Sequence, residues 1–225
     1  MKRFSVQKAR RIQRELAKKI VFDDRFQAEN IRFVAGVDVA YVGDVAIGAA
    51  AVLEYDSLET VEYAVVRCRT MFPYVPTLLS FREISPAVSC LKRLKIEPDV
   101  VLVDGHGYAH PFRCGFASHL GVVIGKPTVG VAKKLLCGSV GEFNDEGCAL
   151  IVHEGEVVGM AVITKPGTKP VYVSVGNMVS LDTAVKIVKH CAQNTRVPQP
   201  IREAHLKANR EKQKLKESGE GKEVG

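Results

Sequence analysis

Asp104 ends the run Val100-Val101-Leu102-Val103 and is followed by Gly105-His106-Gly107 and then His110. A short, β-branched apolar run suits a strand buried on both faces, and open α/β sheets bind ligands at the carboxyl ends of such strands. A second acid, Asp38, interrupts the apolar stretch from Val34 to Ala40, where an unpaired charge is costly and needs a partner. Glu83, on a segment with helical character, is the third. Two carboxylates at 4 Å repel by about 4 kcal/mol at an effective dielectric near 20, so three together require a cation or a shared proton. Oxygen ligands select a hard ion, with Mg²⁺ the natural candidate and Mn²⁺ a substitute. Such an ion would polarise a phosphate and acidify a bound water, the needs of phosphodiester hydrolysis. Taken alone, Asp104 and its glycines read also as a strand ending in a Gly-rich turn. His106, His110 and Cys114, at four-residue intervals, would align as zinc ligands on a helix, but Gly107 and Pro111 oppose a helix there.

The elements that would have to bring these acids together can be read in order. Ser5 caps a helix to Ile20, with Ile12, Leu16 and Ile20 on one stripe. Ile31–Tyr41, Val45–Tyr55 and Thr60–Arg69 read as strands joined by links of hairpin length, an antiparallel meander. Phe72-Pro73-Tyr74-Val75-Pro76 is a stiff, extended loop, the kind of apolar wedge that can enter a base stack. Thr77 is expected to cap a helix, and Ser85-Pro86 to break it and restart a second one to about Leu94. A helix over Cys114–Gly125 and a buried strand over Thr128–Ala132, ending at Lys133, follow the Asp104 strand. Strands at Ala149–Val152, Val157–Ile163 and Val171–Val175 and helices at Leu181–Cys191 and Pro200 to about Leu215 complete the chain. The expected fold is α/β, a mixed sheet of an antiparallel three-strand meander plus parallel strands, flanked by helices. If the fourth strand lies parallel beside the first, Asp38 and Asp104 become neighbours and Glu83 reaches in from the covering helix.

The chain has 225 residues, 46% of them hydrophobic, enough for a large core and one domain, expected over 1–215, with a disordered tail over 216–225. Its longest apolar run, Val45 to Leu53, is far short of the ~18 residues of a membrane span, and the start lacks the apolar core of a signal peptide, so cytoplasmic residence is expected. The six cysteines contain no C-x-x-C pair and suit reduced, packed thiols. The net charge of +7 is concentrated at the start, where Lys2, Arg3, Lys8, Arg10, Arg11, Arg14, Lys18 and Lys19 face Glu15 alone. That helix reads either as a polyanion-facing surface or as a solvated amphipathic face.

Several longer blocks carry a family resemblance: Val34-Ala35-Gly36-Val37-Asp38, Phe72 to Pro76 continuing to Phe81-Arg82-Glu83, Val103 to Gly107 with Ala109-His110-Pro111, Ala117 to Gly121, Pro127 to Lys133, and Arg202-Glu203-Ala204-His205. Together, over roughly residues 5–210, the chain resembles the endonuclease V family of deoxyinosine 3′-endonucleases, which has an RNase H-like fold. The resemblance implies Mg²⁺-dependent DNA repair by hydrolysis of the second phosphodiester 3′ to a deaminated base, leaving 3′-hydroxyl and 5′-phosphate ends. It implies that Asp38 and Asp104 hold the metal, with Glu83 and His205 completing or supporting the site and Lys133 balancing phosphate charge or orienting the attacking water. Tyr74, with Pro73, Val75 and Pro76, would form the strand-separating wedge. Backbone around Gly105, Gly107 and Gly115, walled by Leu79, Phe116 and Leu136, would take the extruded base. His106 and His110 lie near this chemistry without an assigned role. Val75 stands where isoleucine is frequent in the family, and Phe112 where many members carry a basic residue. The partner expected is DNA, or RNA, bearing deaminated bases, bound by a monomer. The alternatives are an inosine-specific ribonuclease, an RNase H-like nuclease for other substrates, or a non-catalytic binder of deaminated nucleic acid.

Overall fold

The computed structural model describes residues 5–70 and 72–218. Three long strands, β1 (Phe33–Val42), β2 (Val45–Glu54) and β3 (Thr60–Arg69), pair antiparallel through short turns, with Gly43 at φ 53 in the first. β4 (Val100–Asp104) then lies parallel to β1, with Val37 opposite Val103, and β5 (Thr128–Ala132) parallel to β4. Beyond β5 the sheet turns antiparallel through β6 (Ser139–Val140), β7 (Cys148–His153), β8 (Glu156–Val162) and β9 (Val171–Asn177). The full order is β3-β2-β1-β4-β5-β9-β8-β7-β6. β6 is too short to register as a periodic pattern and was not expected.

Among the described residues, five α-helices cover the two faces: α1 (Val6–Ala17), α2 (Leu79–Leu91), α3 (Phe116–Ile124), α4 (Leu181–Ala192) and α5 (Gln199–Glu217). Alternation along β1 sends Ala35, Val37 and Val39 into a core with Ala87, Cys90, Ala117 and Leu120 of α2 and α3. Val34 packs on the opposite side with Ile187 of α4 and Ile201 and Ala204 of α5. Gly36 admits α5: a Cβ there would lie 1.9 Å from the Pro200 carbonyl oxygen.

Two expectations about α2 are corrected. Pro86 lies inside one continuous helix rather than at a break, and the helix ends at Leu91. An interior proline costs about 3 kcal/mol by removing a donor and crowding the preceding turn. Here the buried face of Pro86, Ala87 and Cys90 packs on β2, where Gly48 lets the helix approach until a Cβ would meet the Pro86 carbonyl oxygen at 2.6 Å. Nor does Thr77 cap the helix: Leu78 is the capping position and makes no side-chain cap. At the far end α5 extends through Glu217, so the first residues expected in the tail are helical; 219–225 lie outside the described residues. No helix among the described residues is long and apolar enough to cross a membrane.

Candidate active site

The parallel pairing of β1 and β4 sets two acids side by side. Asp38 on β1 and Asp104 at the end of β4 alternate to the face covered by α5, which supplies His205. One donor atom from each of Asp38, Asp104 and His205 lies within 4.8 Å of the others, the one such group among the described residues. His205 Nδ1 is 2.7 Å from Asp38 Oδ2, and its Nε2 is 2.9 Å from the Asn209 amide nitrogen one helical turn on. With that amide donating to Nε2, the Nδ1 proton points at Asp38. Two contacts anchor α5 so that His205 meets the acids. Tyr63 donates to Glu203 at 2.6 Å, and Arg67 pairs with Glu211 at 3.1 Å.

Glu83 stands on α2, outside that three-atom group but electrostatically coupled to it. It is only 8% exposed. Burial above all, then Asp38 and Asp104, pushes its pKa well above the usual carboxylate range, with Arg82 opposing. Asp104 is raised for the same first reason, burial, and is partly restored by Lys133, whose ammonium donates to Asp104 Oδ2 at 2.5 Å. The Lys133 carbonyl is held in turn by Arg196, at 2.7 Å. Lys133 thus arrives at the acids from the end of β5, adjacent to β4. This is a buried excess of negative charge with one ammonium against it, and hard oxygen donors in that arrangement suit a divalent cation.

Beside the acids opens a cavity of about 180 Å³ lined by Tyr74, Leu79, Glu83, Asp104, Gly105, His106, His110, Gly115, Phe116 and Leu136, with Thr77 and Ser80. Most residues expected in a base pocket therefore meet in one place, and the pocket shares Asp104 with the metal-ligating group. Gly107 does not line it. A Cβ on Gly107 would lie 2.2 Å from the Val175 carbonyl oxygen, and its N–H is taken by Ser174 Oγ at 2.9 Å. Gly115 is likewise spent on packing, since a Cβ there would meet the His106 carbonyl oxygen at 2.3 Å and its N–H bonds to the Gly107 carbonyl at 2.9 Å. The Gly105 N–H reaches the Val131 carbonyl at 3.3 Å. Gly107 and Gly115 let the loop fold tightly, and all three amides are committed within the protein.

Burial depresses the imidazoles around the pocket to a pKa of about 4: His106, His110 and His119. They are neutral at physiological pH. His110 Nδ1 accepts from the Phe112 N–H at 3.1 Å, and His119 Nδ1 lies 3.1 Å from Ser80 Oγ, tying α3 to the first turn of α2. His106 and His110 form no ligating group with the buried Cys114. Tyr74 is 67% exposed at the pocket mouth, with Pro73 and Pro76 exposed on either side and Val75 half-buried.

Asn209, Ser174 and Glu203 support the site without having been assigned a role from sequence. Asn209, at i+4 from His205 on one helix face, carried a readable signal; Ser174 meets Gly107 only through strand pairing far along the chain.

The sequence model for Endonuclease V matches residues 14–206. The endonuclease V of Thermofilum pendens is 53% identical over 206 residues, 91% of this chain and 88% of its own length. Among solved structures, endonuclease V of Streptomyces avermitilis superposes with a TM-score of 0.90 at 37% identity, covering 95% of this chain and 96% of that one. Endonuclease V of Ciona intestinalis, solved in complex with a 23mer DNA containing an inosine followed by a ribo-adenosine, gives 0.85 at 33% identity over 93% and 98%. Fold and site together define an RNase H-like, metal-dependent nuclease. The chain belongs to the endonuclease V family.

Proposed function

We propose that this nuclease cleaves DNA at inosine, hydrolysing the second phosphodiester 3′ to the deaminated base and leaving 3′-hydroxyl and 5′-phosphate ends. The observation that carries the reading is the cavity that shares Asp104 with the Asp38–His205 group: one site for a base directly beside one for a phosphate. The inosine-bearing DNA in the Ciona intestinalis complex names the base class.

Asp38 and Asp104 would hold Mg²⁺, or Mn²⁺ in its place, with His205 supporting Asp38; when bound, the ion supplies Lewis-acid stabilisation of charge developing on the phosphate. Lys133, already against Asp104, adds a cation at the same spot. Asn209 and Asp38 hold the His205 ring from both nitrogens, fixing its orientation. Glu83, whose pKa is raised by burial and by Asp38 and Asp104, can accept or release a proton beside the scissile bond. Leu79, Phe116 and Leu136 offer an apolar lining for one planar base, and the cavity is small against the roughly 300–1,000 Å³ of sites for drug-sized ligands. Tyr74, flanked by prolines, would fill the gap left by the extruded base. Extrusion costs a few kcal/mol and least for a poorly paired base, which favours lesions.

One chain contributes every residue of the site, so a monomer suffices. The described cysteines are free, which suits the reducing cytoplasm. The test is a substrate matrix: matched DNA and RNA strands, with and without one inosine, with Mg²⁺ or chelator. Mg²⁺-dependent nicking of inosine DNA, mapped to the second bond on the 3′ side of the lesion, is expected. Equal cutting without inosine, binding with no nick, or cutting of RNA alone would overturn it in favour of another nuclease, a lesion binder or a ribonuclease.

A further inference from the structure

The first helix, basic and without a part in the chemistry above, holds the loop that carries Tyr74. Thr77 closes that loop with φ at 64, a conformation a β-branched residue adopts only where its surroundings impose it. The surroundings are two donors on its carbonyl: Arg10 Nη1 at 3.3 Å and Gln13 Nε2 at 3.1 Å. Arg10 Nη2 also donates to the Pro76 carbonyl at 3.3 Å and to the Thr77 hydroxyl at 2.5 Å. Gln13 is fully buried; its amide reaches the Cys114 carbonyl at 2.7 Å, while its Oε1 accepts from Arg10 at 3.1 Å. The Arg10 guanidinium lies over the Phe112 ring, 4.1 Å from its centroid. Phe112, the departure from the usual basic residue of the family, is here the platform for an arginine from another element.

We propose that Arg10 and Gln13 are positioning residues that clamp the Thr77 carbonyl to the pocket loop, setting Tyr74 at the pocket mouth before a duplex arrives. The proposal rests on Tyr74 being the residue that parts the strands. It assigns the charge of Arg10 to main-chain carbonyls inside the protein, and not to a phosphate. Fork geometry matters for such a role, because one planar guanidinium serves two carbonyls, a hydroxyl and an amide oxygen at once.

A clamp on a strand-separating loop matters only when there are strands to separate. The experiment compares wild type, Gln13→Leu, Arg10→Met and Arg10→Lys on the same inosine oligonucleotide, as a duplex and as a single strand, with thermal melts as a check on folding. Losing the clamp should lower kcat/KM on the duplex roughly tenfold and leave the single strand within about twofold. Arg10→Lys, which keeps the charge without the fork, should resemble Arg10→Met. Equal losses on both substrates, no loss on either, or full recovery with Arg10→Lys would overturn the proposal. Should Gln13→Leu fail to fold, Arg10→Met and Arg10→Lys, at a position only partly buried, decide it. Wild-type enzyme cutting neither inosine substrate would instead strike the underlying reading of function.

Discussion

The acidic end of the site and the base pocket beside it share Asp104 but are built by opposite means. Asp38 and Asp104 stand on adjacent parallel strands, so backbone register fixes them to within the tolerance of a sheet ladder. What opposes them is electrostatic: a buried Glu83 and two aspartates against Lys133. The pocket rests on loops, and its shape comes from close approaches at Gly107 and Gly115 and from carbonyls held by buried polar side chains. One half is rigid and charge-frustrated; in the other, burial depresses the imidazoles to a pKa of about 4 and leaves His106 Nδ1 without a hydrogen-bond partner. On the proposed reading, charge gathers where a phosphate would sit, and the pocket for a neutral base meets it only at Glu83 and Asp104.

That contrast can be broken from either side. The largest effect should come from Asp38→Asn or Asp104→Asn. Each keeps shape while removing a charge that the reaction needs, and single-turnover cleavage should fall by about 10³ or more. Mg²⁺ is expected to raise the wild-type melting temperature; loss of that rise in either variant would sharpen the metal assignment, and an unchanged rise would sink it. On the neutral side, Tyr74→Ala should cost on the order of tenfold in duplex cleavage, through lost stacking. The measure is the ratio of duplex to single-strand rates, and an unchanged ratio would remove Tyr74 from the wedge.

Stability against pH separates the two halves with smaller effects of opposite sign. Glu83 holds its proton more tightly when folded, so its contribution declines as pH rises from its ordinary value of 4.5 toward the raised native one. Glu83→Gln should therefore melt higher than wild type at about pH 8, with the gap closing by about pH 4. His119 is depressed from 6.5 to about 4, so its folded state is penalised as pH falls through that window. His119→Gln should flatten the acid limb of the melting curve between pH 6.5 and about 4; an unaltered limb would show that this imidazole is not charging on unfolding.

Much of this was legible in the residues. The meander, the buried run into Asp104 and the strand ending at Lys133 follow from period and composition, and β3 and β5 carry their expected bounds. The uninterrupted α2 did not follow, because what keeps Pro86 inside a helix is Gly48 on a neighbouring strand. The separation of Glu83 from the tight group, and the closeness of His205, also turn on which face of the sheet each helix covers.

By itself, the sequence determined the chemistry available: acids at strand ends, a lysine after β5, a proline-flanked tyrosine and loops that glycine alone allows. Local residue types settle those things, because strand period and turn conformation are local. The tertiary structure decided which donors share a centre, that the loop glycines' amides are already spent, and that a basic helix turns Arg10 inward onto Phe112 and Thr77. Those contacts join residues tens of positions apart, and no local pattern encodes a hydrogen bond between them.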